Sequence, residues 1–144
     1  MKMKLLSYVL LALLAATGRT GNSREAGGNS DNQAADTGKA VITFAEYEHA
    51  FGMVKEGEKV GCIFSFSNTG TGNLVINSAT TTCGCTVPKY DTKPIAPGKS
   101  GRLEVVFNTE GRNGLQTKTI TVKSNAKTPV VLLKITAEVM MNNN

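Results

Sequence analysis

The 144-residue chain has no tryptophan, one histidine, three cysteines and four prolines, and aromatic side chains make up only 6% of it. Each shortage excludes something. The single histidine, His49, has no serine elbow or paired carboxylates beside it, so a hydrolytic centre has no residues to rest on. Three cysteines without paired CxxC motifs fall short of a zinc-finger pattern. No window repeats apolar residues at the 3.6-residue helical period, and no internal repeat is visible. The longest apolar run, Leu5 to Ala16, is broken only by Ser7 and Tyr8. At 1.5 Å per residue it spans about 18 Å, against roughly 30 Å for a hydrocarbon core, so no transmembrane helix is expected. Basic residues stand singly, with no aromatic platform between them, and a nucleic-acid partner is not expected.

What is present is a globular composition, 40% hydrophobic and 19% charged, with 15 glycines, enough for one domain. Met1-Lys2-Met3-Lys4 followed by the short apolar run has the form of a secretory leader, with small residues Ala16, Thr17 and Gly18 at its end. Residues 1–18 are therefore assigned as a signal peptide, which predicts an exported protein of the periplasm or cell envelope. The stretch Leu14-Ala15-Ala16-Thr17-Gly18 also has the look of a lipoprotein signal, but the residue that would be acylated is Arg19, which has no thiol. Without the leader the chain carries fourteen basic against eleven acidic residues, a net +3 with signs interspersed. That charge serves solubility and does not point to a polyanion. Residues 19–39 contain no apolar side chain larger than alanine and are expected to be a disordered tether.

From Ala40 the chain turns into short β-rich runs punctuated by Gly, Asn and Pro. Ala40 to Tyr47 reads as a first strand, and Phe51-Gly52-Met53-Val54 leads into a turn at Lys55-Glu56-Gly57-Glu58. Val60, Cys62, Phe64 and Phe66 alternate with Gly61, Ile63, Ser65 and Ser67, which predicts a half-buried strand with the first set inward. Asn68 to Asn73 reads as a turn whose Gly and Asn residues accept positive φ. Leu74 and Ile76 head a strand running into Cys83-Gly84-Cys85, and a polar connection follows Pro88. Leu103, Val105 and Phe107, then Ile120 and Val122, then Val131, Leu133, Ile135, Ala137 and Val139 supply three further inward sets. Lys118, Lys123, Lys127 and Lys134 read as protection of edge strands. The fold class predicted is all-β, an immunoglobulin-like β-sandwich of about seven strands over residues 40–141.

Phe51 to Glu58, Phe64-Ser65-Phe66-Ser67-Asn68-Thr69-Gly70, Leu74-Val75-Ile76, Cys83-Gly84-Cys85-Thr86 and Ile95-Ala96-Pro97-Gly98-Lys99-Ser100-Gly101 together resemble a bacterial family of unknown function. Its members are exported, often lipid-anchored immunoglobulin-like domains of Gram-negative envelopes, related to Hydin-type (ASH) and PapD-like sandwiches. The resemblance runs through Phe107-Asn108, Lys118 to Val122 and Ser124-Asn125, and so over about residues 44–139. It implies a fold and a compartment, and carries over no catalytic residue. The chain departs from it at Arg19, where many relatives have the lipoprotein cysteine, and at Cys62, a position commonly polar and often histidine.

Cys83 and Cys85 are the one cluster that could carry chemistry. In an extended strand their Cα atoms would stand about 6.5–7 Å apart, at the upper limit for a disulfide, and Gly84 can shorten that distance. A bond between them closes a very small ring, which favours a reducible device over a staple. Pairing Cys62 with either would close a loop of more than twenty residues, worth roughly 3 kcal/mol. Cys62, Cys83 and Cys85, with Met53 or His49, are also candidate donors for a soft metal such as Cu(I) or zinc. A structural motif, a disulfide, a redox pair and a metal site thus stay open. His49 reads as a brace for the first strand, and Asp91, Glu104, Glu110 and Glu138 as solvated carboxylates. No catalytic residue and no cofactor is expected. The function expected is that of a non-enzymatic binding or structural module whose partner is another envelope protein or polymer; the alternative is thiol-redox or soft-metal handling.

Overall fold

The computed structural model describes residues 38–141. The expected leader, and the expected tether apart from its last two residues, lie outside them. Eight strands run in the order β1 (Ile42–Phe44), β2 (Glu48–Lys55), β3 (Lys59–Asn68), β4 (Ile76–Thr81), β5 (Thr86–Tyr90), β6 (Ser100–Asn108), β7 (Gly114–Ser124) and β8 (Val130–Met140). One sheet has the order β1-β3-β6-β5 and the other β2-β8-β7-β4. All neighbours are antiparallel except β2 and β8, which run parallel. With β1 and β2 taken as two parts of one first strand divided between the sheets, this is the seven-strand immunoglobulin arrangement, four strands facing three.

The division corrects the sequence reading, in which Ala40 to Tyr47 formed a single strand. β1 ends after three residues, and the chain crosses at Ala45, Glu46 and Tyr47 to join β8 in the other sheet. The crossing segment is exposed, so no buried side chain continued the alternation there. A second correction is β5, which passes through Pro88 where only a connection was expected.

The inner faces hold the expected sets. Phe64, Leu103, Val105 and Phe107 from one sheet meet Ile120, Val122, Leu133, Ile135 and Val139 from the other, all almost fully buried. Alternate residues of β3, β6 and β8 face out because side chains alternate at period two. Leu74 and Ile95, joined by a lone bridge, close one end of the core. Lys118, Lys123 and Lys134 do not sit on edges, since β7 and β8 are interior strands of their sheet, and Lys127 lies in the turn between them. Lys134 instead pairs with Glu48 across β8 and β2, and Lys118 Nζ bonds Gln116 Oε1 at 3.2 Å while lying 5.9 Å from the Phe107 ring centre.

Gly101 shows how tightly the layers meet. It is buried opposite Phe66 on β3. A Cβ there would come within 2.5 Å of Phe66 Cζ and 2.6 Å of Ile95 Cδ1. Both neighbours are side chains held in a packed core. Gly101→Ala is expected to cost about 1–3 kcal/mol through overpacking, read as a lower urea midpoint at unchanged m-value.

Candidate functional site

The Cys83-Gly84-Cys85 segment forms the crossing from β4 in one sheet to β5 in the other. The chain bends and turns over residues 82–85 instead of staying extended. This brings the two Cα atoms to 5.3 Å, and the two cysteines are joined by a disulfide. Both cysteines are half-buried, and Gly84 between them is exposed.

The crossing is also held without sulfur. Thr81 Oγ1 lies 2.7 Å from the Cys83 carbonyl and 3.1 Å from that of Thr86, and the Asn108 amide donates to the Cys85 carbonyl at 2.8 Å. A ring closed over three residues constrains the unfolded chain by roughly 1.5 kcal/mol, about half of what a fifteen-residue loop would give. The buried Thr86 hydroxyl stands 3.9 Å from Cys83 Sγ and 4.0 Å from Cys85 Sγ. It is therefore a donor placed almost evenly between the two sulfurs.

Cys62 does not join them. It is an unpaired, buried thiol on the inner face of β3, opposite Val105 of β6. Burial pushes this thiol up to about 11 from 9.0, with the Glu46 carboxylate adding to the effect. It is therefore a protonated, inert core residue at neutral pH. Among the described residues no three His, Cys, Asp or Glu side chains gather as a metal site, so the proposed Cys62–Cys83–Cys85 donor set is not assembled. Met53 points into solvent. His49 packs edge-on to Phe51, ring centres 4.9 Å apart, and to Phe64 at 6.4 Å. Its Nδ1 lies 3.3 Å from Glu46 Oε1, so it braces the start of β2.

Sheet edges are the other candidate surface. On β5, the Cys85 carbonyl faces β6, so at period two the nitrogen of Pro88 faces the free side, where no donor can then be offered. β4 has a register shift between Ile76 and Ser78. β2 has one between Ala50 and Met53, where Gly52 takes a φ of 72° that other residues rarely adopt. The fourth edge differs. β1 stops at Phe44, opposite Phe66, while β3 extends back to Lys59. The Ser65 carbonyl accepts from Ala45 at 2.9 Å. The backbone groups of Ile63 and Gly61, on the same side at period two, therefore point past the end of β1, and no described strand lies beside them. On the outer face next to this edge, a shallow hollow of about 350 Å³ is lined by Ile63, Lys89, Tyr90, Asp91, Arg102 and Glu104. Sequence reasoning missed the open edge, because how far β1 accompanies β3 is set by where the chain changes sheets.

Among the described residues no helix is long and apolar enough to cross a membrane. The family model described as Protein of unknown function (DUF1573) matches residues 42–139. No curated protein sequence matches the chain significantly. Among solved structures, a protein of unknown function from Porphyromonas gingivalis W83 superposes with a TM-score of 0.62 at 24% identity, over 69% of this chain and 47% of that one. The ASH/PapD-like domain 7 of human CEP192 superposes with a TM-score of 0.59 at 8% identity, over 71% of this chain and 87% of that one. A secreted serine protease, VesC from Vibrio cholerae, gives 0.54 at 14% identity, over 68% of this chain and 23% of that one. The chain thus spans about half of the Porphyromonas protein and under a quarter of the protease. These likenesses establish the immunoglobulin-like, PapD-like sandwich.

Proposed function

The chain belongs to the DUF1573 family of proteins of unknown function, and we propose that it is an exported, non-enzymatic binding module of the cell envelope that accepts an extended segment of a partner protein along its β3 edge. The observation that carries the reading is that edge: three others are interrupted by Pro88 or by register shifts, whereas Gly61 and Ile63 present an uninterrupted stretch of backbone. An added strand there would lie in line with β1 and gain main-chain hydrogen bonds without requiring special side chains. Export is supported by the leader-like residues 1–18.

Ile63→Pro tests this directly. Its nitrogen faces the free side, so proline removes an edge donor and leaves the β3–β6 ladder intact. With the purified chain immobilised and an envelope fraction passed over it, proteins retained by the wild type should fall about tenfold or more with Ile63→Pro. They should be unchanged with Thr119→Ala on the outer face of β7, and both variants should show a native melting transition. Equal retention by wild type and Ile63→Pro would remove the edge as the binding surface.

A further inference from the structure

We propose that the Cys83–Cys85 disulfide is a thiol–disulfide exchange site that takes two electrons from a dithiol on another molecule. Four observations converge on it. The bond links residues only two apart, so it contributes little as a cross-link. The crossing it lies in is already fixed by Thr81 and by the Asn108 amide. The pair is half-buried, with Cys85 packed against the core, but Gly84 is exposed and a Cβ placed on it would meet no heavy atom within 4 Å, so the backbone between the two cysteines is open to an approaching chain. The Thr86 hydroxyl stands nearly equidistant from both sulfurs, able to donate to whichever one leaves as thiolate. Cys62 is enclosed in the core and cannot reach them, which makes the exchange intermolecular.

A thiolate of the external dithiol attacks one sulfur of the pair, the Cys83–Cys85 bond breaks, and a mixed disulfide forms while the other cysteine leaves as a thiolate. The second external thiol then attacks the mixed disulfide. The external dithiol ends oxidised to a disulfide, and Cys83 and Cys85 end reduced, having received two electrons and two protons. Thr86 acts here as a positioning residue that stabilises the leaving thiolate.

Dithiothreitol and glutathione serve as probes on the purified full chain. Native protein treated with dithiothreitol and then alkylated should gain two alkyl groups, on Cys83 and Cys85, with its circular dichroism unchanged. Cys62 should react only after denaturation. The Cys85→Ser variant should capture glutathione from glutathione disulfide on Cys83. Thr86→Val should slow reduction by about three- to tenfold without an equal fall in melting temperature, and Thr86→Ser should restore the rate. A pair that resists dithiothreitol until the protein unfolds, or whose reduction unfolds it, would show a structural staple and overturn the proposal. An unaltered rate in Thr86→Val would overturn the role given to the hydroxyl.

Discussion

Phe64→Ala is expected to cost about 3–5 kcal/mol, the range for truncating a fully enclosed phenylalanine. Phe64 sits mid-strand on β3 with no exposed surface, paired with Leu103 of β6 and flanked by the His49 ring across the gap to β2. A domain of about 100 residues has a total stability of roughly 5–15 kcal/mol, so this one change removes a large share of it. Urea unfolding followed by circular dichroism gives the value. Leu132→Ala is the matched contrast: Leu132 is 59% exposed, and its neighbour Leu133 is fully buried. Removing it should alter stability by no more than about 0.5 kcal/mol. Comparable losses in the two variants would contradict a core built from alternate residues between the sheets.

The second large effect is expected at Asn68, the last residue of β3, whose side chain is wholly buried. Its Nδ2 donates to the carbonyls of Gly72 at 2.7 Å and Ile95 at 2.9 Å. Its Oδ1 accepts from the amides of Gly70 at 3.0 Å and Val41 at 3.3 Å. One amide thus ties together the turn after β3, the segment that bridges to Leu74, and the approach to β1. Asn68→Ala removes four partners at once and strands several buried polar groups. A loss of about 2–4 kcal/mol is expected, since each group left unsatisfied costs about 1–3 kcal/mol and some regain water. Hydrogen exchange adds a local readout: the Gly70 and Val41 amides should lose protection, while the Gly98 amide, bonded to the Asn68 backbone carbonyl at 2.8 Å, keeps it. A loss below about 1 kcal/mol with all three amides still protected would mean the turn organises itself.

Asn68 also marks where reading the sequence stopped short. As a residue of a Gly- and Asn-rich turn it was expected to act through its backbone, but its side chain does the organising, and no local pattern announces a long-range hydrogen-bond hub. The strands β3, β6 and β8 were legible because one face of each is buried and the other wet, leaving a period-two imprint. β2 and β4 lie at edges where burial is partial, and their patterns are correspondingly irregular. β5 was hidden by Pro88, which an interior strand would exclude and an edge strand tolerates. The lysines of β7 and β8 were misplaced for a related reason: strand order follows from the whole topology. At the cysteines the sequence supplied the candidates and the flexible glycine between them. Only the folded chain separates Cys62, enclosed opposite Val105, from the half-buried pair at the crossing.

The parallel pairing of β2 with β8 governs when this domain can become native. β8 is the interior strand that joins β2 to β7, so one whole sheet lacks its middle until residues 130–140 are available. Residues 48–55 must therefore wait for partners at residues 134–140. During synthesis the domain stays incompletely assembled until β8 has emerged. Closure then joins distant parts of the chain, which sets folding in the slow regime of about milliseconds to seconds typical of all-β sandwiches.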